Sequence, residues 1–254
     1  MPASYEQIRD TALSELKNLM DSMQNDQSGS DKGKKLAYWL NDYVRFLKNE
    51  RTFNPKKMIR YKRGSIVKVH LGYNIGSEEG GLHYAIVMDN ASNISDTTLT
   101  VIPLTSAKPG VDLSRLHFSK ISLGDEVYRS LNTNLLNEVK SARARLNELS
   151  RRYEELKVSQ QPDSAEEAAI REETSALYKT LSYCQKMRNE VDKMKTGSIA
   201  LVGQITTISK IRIYDPRYHN DALAKVRVSN TTLDVLDRKI AELYMNKNKI
   251  TASE

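Results

Sequence analysis

The apolar and polar positions divide the N-terminal part of the chain into two helical stretches. Residues 4–24 and 34–48 repeat apolar side chains at helical spacing, and a polar segment with Gly and Ser over 25–33 separates them. This pattern predicts two amphipathic helices that either dock on the following domain or form a dimer or partner surface. We expect six apolar side chains of the second helix to face inward: Leu36, Trp39, Leu40, Tyr43, Val44 and Leu47.

Short apolar runs with strand character follow these helices. Residues 65–71 alternate between two faces, and a loop with four glycines over 72–81 leads to a second apolar run at 82–88. Further strands are expected at 99–104 and at 114–121. The sequence thus predicts a hairpin with a glycine-rich loop, extended by more strands.

A long helical hairpin, here called the arm, is predicted between the strand regions. From Leu131 to Leu156 apolar residues recur at alternating steps of three and four, which is typical of a coiled-coil seam. A turn is expected at 160–164, and a capping box from Ser164 to Glu167 begins the second helix. Because such a seam can satisfy itself, we expect the arm to fold independently of the strands. A final helix is predicted over 231–245.

Composition narrows the class of protein. Charged residues make up 28% of the 254 residues, and no apolar run approaches the roughly 20 residues of a membrane span. One cysteine, Cys184, excludes an intramolecular disulfide, and its place on the seam predicts a small buried hydrophobe. We therefore expect a cytoplasmic protein without a membrane segment. No spacing of His, Cys or carboxylates suggests a metal, and no cofactor is expected.

Basic residues concentrate before the first strand. The net charge is +7, and residues 51–63 hold six Lys or Arg and no acid. Such a patch favours a polyanionic partner, because binding releases counterions from phosphates. A solvated Lys-rich connector explains the same charges, and the residues alone do not separate the two interpretations.

Three motifs, in order, carry a resemblance to a known family. RGSIVKV…NIGSEEGGLHYAIVMDN, TVIPLT and SIALVGQITTISKIRI resemble the first hairpin, the third strand and the closing strand-and-turn of the PemK/MazF family of toxin–antitoxin endoribonucleases. The resemblance spans residues 62–121 and 196–245.

The resemblance implies the fold class of the strand region, and the helical patterns outside it complete the domain plan. The class is α+β, with an SH3-like small β-barrel of PemK/MazF type formed by residues 62–124 and 196–246. Residues 1–61 form an N-terminal helical extension, and residues 125–195 form an inserted antiparallel helical coiled-coil hairpin. The C-terminal helix completes the plan.

The resemblance also implies an activity. Family members cut single-stranded RNA such as mRNA without a metal and in a sequence-selective way, leaving 2′,3′-cyclic phosphate and 5′-hydroxyl ends. A homodimer and a cognate antitoxin protein are the implied partners. The catalytic positions fall on His83, where the family has Arg, and on Thr105. Histidine can move protons near neutral pH but lacks the phosphate-binding fork of Arg, so Lys68 is the nearest candidate for the phosphate.

Eight further positions are expected to contact RNA: Lys68, His70, Ser77, Gly80, Gly81, Ser106, Gln204 and Thr207. The family's Arg in the segment after Gln204 is Thr206 here, which puts one contact in doubt. Two other interpretations stay open. The chain could be a catalytically weak RNA-binding or gyrase-poison-like module of the same fold, or the added helices could be a built-in regulator that covers the groove.

Overall fold

A computed structural model describes residues 3–25, 30–90, 93–108, 110, 112–158, 164–195 and 197–246. The chain divides into two compact units. The first comprises Met1–Phe53 and His70–Leu82, and the second comprises Asn54–Val69 and His83–Glu254. The middle of the expected 25–33 linker and most of the expected turn at 160–164 lie outside the described residues.

Two helices and the glycine-rich loop build the first unit. Helix α1 spans Tyr5–Asn25 and helix α2 spans Ser30–Glu50, so α2 begins four residues earlier than predicted. The helices pack closely, because a Cβ atom at Gly33 would lie 3.2 Å from the Met23 Cβ.

The predicted inward face of α2 is correct only in part. Leu36 is buried and Trp39 and Leu40 are half-buried, whereas Tyr43, Val44 and Leu47 are 46–50% exposed. Helical spacing marks the apolar stripe, but it does not say how much of the stripe a partner covers.

The loop of the first unit is closed by main-chain hydrogen bonds. Leu71 N–H donates to the Gly81 carbonyl and Gly81 N–H donates to the Gly72 carbonyl, each at 2.7 Å. A Cβ atom at residue 80 would lie 2.9 Å from the Gly72 carbonyl oxygen, and Gly81 has a φ of +86°. Only glycine fits these two positions without strain.

Within the described residues, seven strands form one sheet. The strands are β1 (Ile66–His70), β2 (Leu82–Val87), β3 (Thr98–Ser106), β4 (Ile121–Gly124), β5 (Ser198–Ala200), β6 (Thr206–Ser209) and β7 (Ile213–Asp215). Their order is β4-β5-β3-β2-β1-β7, with β6 paired to β3. Every pairing with a defined register is antiparallel.

The sheet departs from the expected barrel. Within the described part of the chain, β4 and β7 end the strand order and do not pair, so the barrel is not closed. The mixed α+β class with an antiparallel sheet is confirmed, but the closed form is not. The expected strand at 114–121 is also wrong. The Asp112 side chain accepts a hydrogen bond from Ser114 N–H and starts a short 3₁₀ turn there, and β4 begins only at Ile121.

Three helices belong to the second unit. They are α3 (Glu126–Val158), α4 (Ser164–Lys193) and α5 (Asn230–Tyr244), close to their predicted bounds. Among the described residues no helix has the length and apolarity needed to cross a membrane.

The base of the arm is part of the sheet's core. Leu131 of α3 and Met187 of α4 are fully buried in one cluster with Ile86 and Ile102 of the sheet. The outer arm has a separate small core of Ala142, Leu149, Ile170 and Leu177. The expected independence of the arm therefore fits its outer half only. Whether the arm is a separate domain with boundaries at 125 and 195 stays a prediction.

Cys184 lies in the shared core, as its seam position predicted. It is a free, buried thiol, and burial raises its pKa. A thiol with a raised pKa is a weak nucleophile, so Cys184 acts as a packing residue.

Candidate functional site

The structure places the two predicted catalytic residues on neighbouring strands. Strands β2 and β3 pair antiparallel with Ala85 opposite Pro103, and the same register continued by two residues puts His83 opposite Thr105. Directly opposed side chains in an antiparallel pair point to the same face, about 5 Å apart at Cβ. The pairing therefore brings His83 and Thr105 together where β2 begins and β3 ends.

The imidazole of His83 is fixed against the strand beside it. Its Nδ1 lies 3.1 Å from the carbonyl oxygen of Leu104. A carbonyl oxygen only accepts hydrogen bonds, so Nδ1 carries the proton and donates. In the neutral ring Nε2 then holds the lone pair. The ring of His83 is half-buried and is oriented by this contact.

Lys68 lies on the other face of the sheet. Its Nζ is 2.6 Å from Oε1 of Glu190 in α4, and the Tyr84 hydroxyl donates to the same oxygen at 2.5 Å. Tyr84 and His83 are adjacent in β2, so their side chains point to opposite faces. Lys68 therefore lies on the wrong face to hold a phosphate at His83, contrary to expectation. Its ion pair with Glu190 instead anchors the arm to the sheet.

Burial changes the pKa values of groups near the Lys68–Glu190 ion pair. Glu190 is only 9% exposed, and the pKa of Tyr84 is raised, first by burial and then by its hydrogen bond to Glu190. Asp215, opposite Lys68 in β7, is also shielded from water, which raises its pKa to about 6. The ammonium of Lys68 is the cation that pairs with Glu190 in this acidic setting.

We expect Lys68→Met to destabilise the protein by about 2 kcal/mol while leaving the RNA cleavage that the family resemblance implies unchanged in the folded protein. The value is below the ~3–5 kcal/mol for breaking a fully buried pair, since the Lys68 side chain is 20% exposed. Urea unfolding and a cleavage assay measure the two effects.

Lys225→Met is the matched control. Lys225 also bridges to the arm, with its Nζ 2.6 Å from Glu138 Oε1, but it is 60% exposed. Exposed pairs contribute about 0–1 kcal/mol. Equal losses in the two variants, or lost cleavage in a folded Lys68→Met protein, would contradict the anchoring role.

Other cations lie near the His83–Thr105 pair. Beyond Thr105, Ser106 pairs with Ser198 and Ala107 N–H donates to the Gly197 carbonyl. This pairing brings the exposed Lys108 and Lys195 to the same end of the sheet as Thr105. Sequence reasoning did not single out these two lysines.

Gln204 and Thr207 were expected at the site, but Thr207 lies elsewhere. Thr207 pairs with Thr100, which is five residues before Thr105 along β3. At roughly 3.4 Å per residue, Thr100 and Thr105 are about 17 Å apart. Gln204 ends a short 3₁₀ helix between β5 and β6 and is half-buried. The start of the third motif lies beside Thr105, because Ile199 pairs with it, whereas Thr207 lies further along the sheet. A role in RNA binding for Gln204 and Thr207 stays a prediction.

Ser106, which pairs with Ser198, belongs to the second unit, and its role in RNA binding stays a prediction. Four other expected contacts belong to the first unit. The His70 ring stacks on Trp39 at 4.5 Å, its Nδ1 accepts from Gly72 N–H, and its Nε2 is 3.9 Å from Asp42. Ser77 is exposed in the loop. Gly80 and Gly81 shape the loop backbone, as described above. A role in RNA binding for these four residues stays a prediction.

The anchor residue Glu190 was missed from the sequence. It lies between Met187 and Val191 on the buried side of α4, where a carboxylate needs a partner. A carboxylate on the apolar side of the predicted helix was the sequence signal that could have identified Glu190. Among the described residues, no group of three His, Cys, Asp or Glu side chains is arranged to hold a metal ion.

Comparison with known families agrees with the motifs. Residues 62–146 match the family described as the PemK-like, MazF-like toxin of type II toxin–antitoxin system. Residues 62–146 therefore match this toxin family, and the resemblance seen in the first two motifs is confirmed for that segment. The match includes the first part of α3, whereas the N-terminal helices and residues 147–254 lie outside it. No curated protein matches the chain.

Proposed function

We propose that this chain is the toxin of a toxin–antitoxin pair and cuts single-stranded RNA without a metal. The observation that carries the proposal is the antiparallel register of β2 and β3, which, continued by two residues, sets His83 opposite Thr105 within the segment that matches the toxin family. Members of that family are generally ribonucleases, and a cognate antitoxin and a homodimer follow from the same membership.

The proposed reaction is a transfer of the phosphate onto the neighbouring ribose. A base removes the proton of the 2′-hydroxyl, O2′ bonds to phosphorus, and the bond from phosphorus to O5′ breaks. A proton then goes to O5′, which leaves a 2′,3′-cyclic phosphate and a 5′-hydroxyl. Nε2 of His83 serves the proton transfers because Nδ1 is held by the Leu104 carbonyl.

The negative charge on phosphorus needs a positive or hydrogen-bonding partner. Thr105 supplies a hydroxyl beside His83, and Lys108 and Lys195 supply positive charge at the same end of the sheet. Together they stand in for the phosphate fork that the family's Arg provides. Lys68 is left out of this role because it anchors Glu190 on the opposite face.

The test is incubation of the purified protein with a mixed RNA pool in EDTA, followed by analysis of the product ends. We expect cleavage to continue in EDTA and to leave 2′,3′-cyclic phosphate and 5′-hydroxyl ends. A requirement for added Mg²⁺, or products with 5′-phosphates, would refute the proposed chemistry.

A second candidate function is binding without cleavage. It is favoured by one observation, the replacement of the family's Arg by His83. A gyrase-poison-like or RNA-binding module would then use the same surface. The base of the arm does not cover that surface, since α4 packs on the Lys68 face, and this argues against the arm as a lid on His83.

A further inference from the structure

An exposed pair of aromatic rings follows β3 in the second unit. The ring centroids of His117 and Phe118 lie 4.4 Å apart with an angle of 42° between the planes. Phe118 is 68% exposed, whereas the other two phenylalanines of the chain, Phe46 and Phe53, are half-buried. Phe118 is one of several large apolar side chains that are exposed, and its ring offers an aromatic face for stacking.

The turn that presents these rings is firmly held. Lys120 N–H donates to the His117 carbonyl at 2.9 Å, and the His117 Nδ1 lies 2.8 Å from the Ser119 hydroxyl. Gly203 N–H donates to the Ser119 carbonyl, and a Cβ at Gly203 would lie 2.9 Å from the Ser119 Cβ. A ring on such a prearranged turn loses little freedom when it binds.

Two basic residues lie within three positions of the rings along the chain. Lys120 is exposed, and the Arg115 side chain is 87% exposed. Arg115 Nε lies 3.4 Å from Asp112, and exposed pairs of this kind contribute about 0–1 kcal/mol. The guanidinium can therefore exchange this contact for a phosphate at little cost.

Strand pairing links this turn to the proposed site. Ser122 of β4 pairs with Ile199 of β5, and Ile199 pairs with Thr105 of β3. Two strand spacings of about 4.8 Å put Ser122 roughly 10 Å from Thr105. Phe118 is four residues before Ser122. An extended single strand of RNA that passes Thr105 can therefore also reach Phe118.

We propose that His117 and Phe118 form a stacking platform for a base of single-stranded RNA, with Arg115 and Lys120 holding the adjacent phosphates. This inference rests on the proposed function and adds the place where the unpaired strand is gripped. An exposed ring flanked by cations suits an unpaired base, which offers its π-face for stacking. Bases within a duplex hide that face.

The test measures binding of a single-stranded RNA by fluorescence anisotropy, with all variants made in a His83→Ala background so that the RNA stays intact. We expect Phe118→Leu to weaken binding by about 5- to 150-fold, the range that corresponds to one base–aromatic stack. Phe118→Trp should bind at least as well as the parent. The parent should bind the single strand more tightly than a duplex of the same sequence.

Tyr178→Leu is the matched control, since Tyr178 is 69% exposed and lies on the arm. Its binding should equal that of the parent. Unchanged binding by Phe118→Leu, or an equal loss in Tyr178→Leu, would overturn the platform, and the exposed ring would then be a contact for another protein.

The failure of this inference is separable from failure of the proposed function. If the protein with His83 intact cuts RNA and Phe118→Leu neither binds nor cuts differently, only the platform is wrong. If that protein cuts nothing while Phe118→Leu still weakens binding, the platform stands and the ribonuclease proposal fails.

Discussion

Replacing His83 with alanine should reduce RNA cleavage by about 10²- to 10⁴-fold while RNA binding changes little. The reason is that a side chain acting as general acid or base contributes that much to the rate and little to ground-state affinity. Initial cleavage rates and anisotropy measure the two quantities. His219→Ala is the control, because His219 is exposed and lies outside the proposed site.

Two further variants sharpen this prediction. His83→Arg restores the family's residue and its phosphate fork, so we expect retained activity with a flatter dependence on pH between about 5 and 8, where histidine titrates. Thr105→Val should cost less than His83→Ala if the hydroxyl only orients the phosphate. The ribonuclease function would be refuted if the wild-type protein bound RNA but did not cut it between about pH 6 and 9, and if His83→Ala behaved in the same way. Binding without cleavage would then be the remaining function.

Met187→Ala should lower the free energy of unfolding by about 2–5 kcal/mol, although Met187 belongs to the arm. Met187 is fully buried among side chains of the sheet, and truncating a buried methionine removes apolar burial and leaves a cavity. Urea unfolding measures the loss. Met245→Ala is the control, because Met245 is 60% exposed and surface changes stay within about 0.5 kcal/mol.

Deletions of different length extend the same argument. A short Gly-Ser linker in place of residues 142–177 should leave a folded protein, since the small core of the outer arm is separate from that of the sheet. Replacement of residues 127–194 should abolish folding, because it removes Leu131 and Met187 from the shared core. A soluble, cooperatively folded product of the longer deletion would show that the arm is dispensable.

Local periodicity was enough to find most of the elements. The alternation in β1 and the steps of three and four in the arm put strands and helices within a few residues of their observed bounds. The failures came where side chains override propensity. The strand expected at 114–121 is instead a 3₁₀ turn followed by a β-turn, because Asp112 caps Ser114 N–H and His117 accepts from Lys120 N–H.

The candidate site was predicted from sequence motifs rather than from apolar periodicity. His83 and Thr105 were singled out because their motifs resemble those of a toxin family, and the antiparallel register then placed them opposite each other. The alternation of side chains in β2 could have shown that Tyr84 and His83 face opposite ways. It could not show which of the two faces the arm covers.

By itself, the sequence determined the order and type of most elements, the toxin-family segment and the two candidate residues His83 and Thr105. Only the tertiary structure decided that Lys68 belongs to Glu190, a residue 122 positions away, and that the base of the arm shares the core of the sheet. The physical reason is that periodicity records which side of an element is apolar. Which distant element covers that side depends on how the whole chain buries its apolar surface and pairs its buried charges.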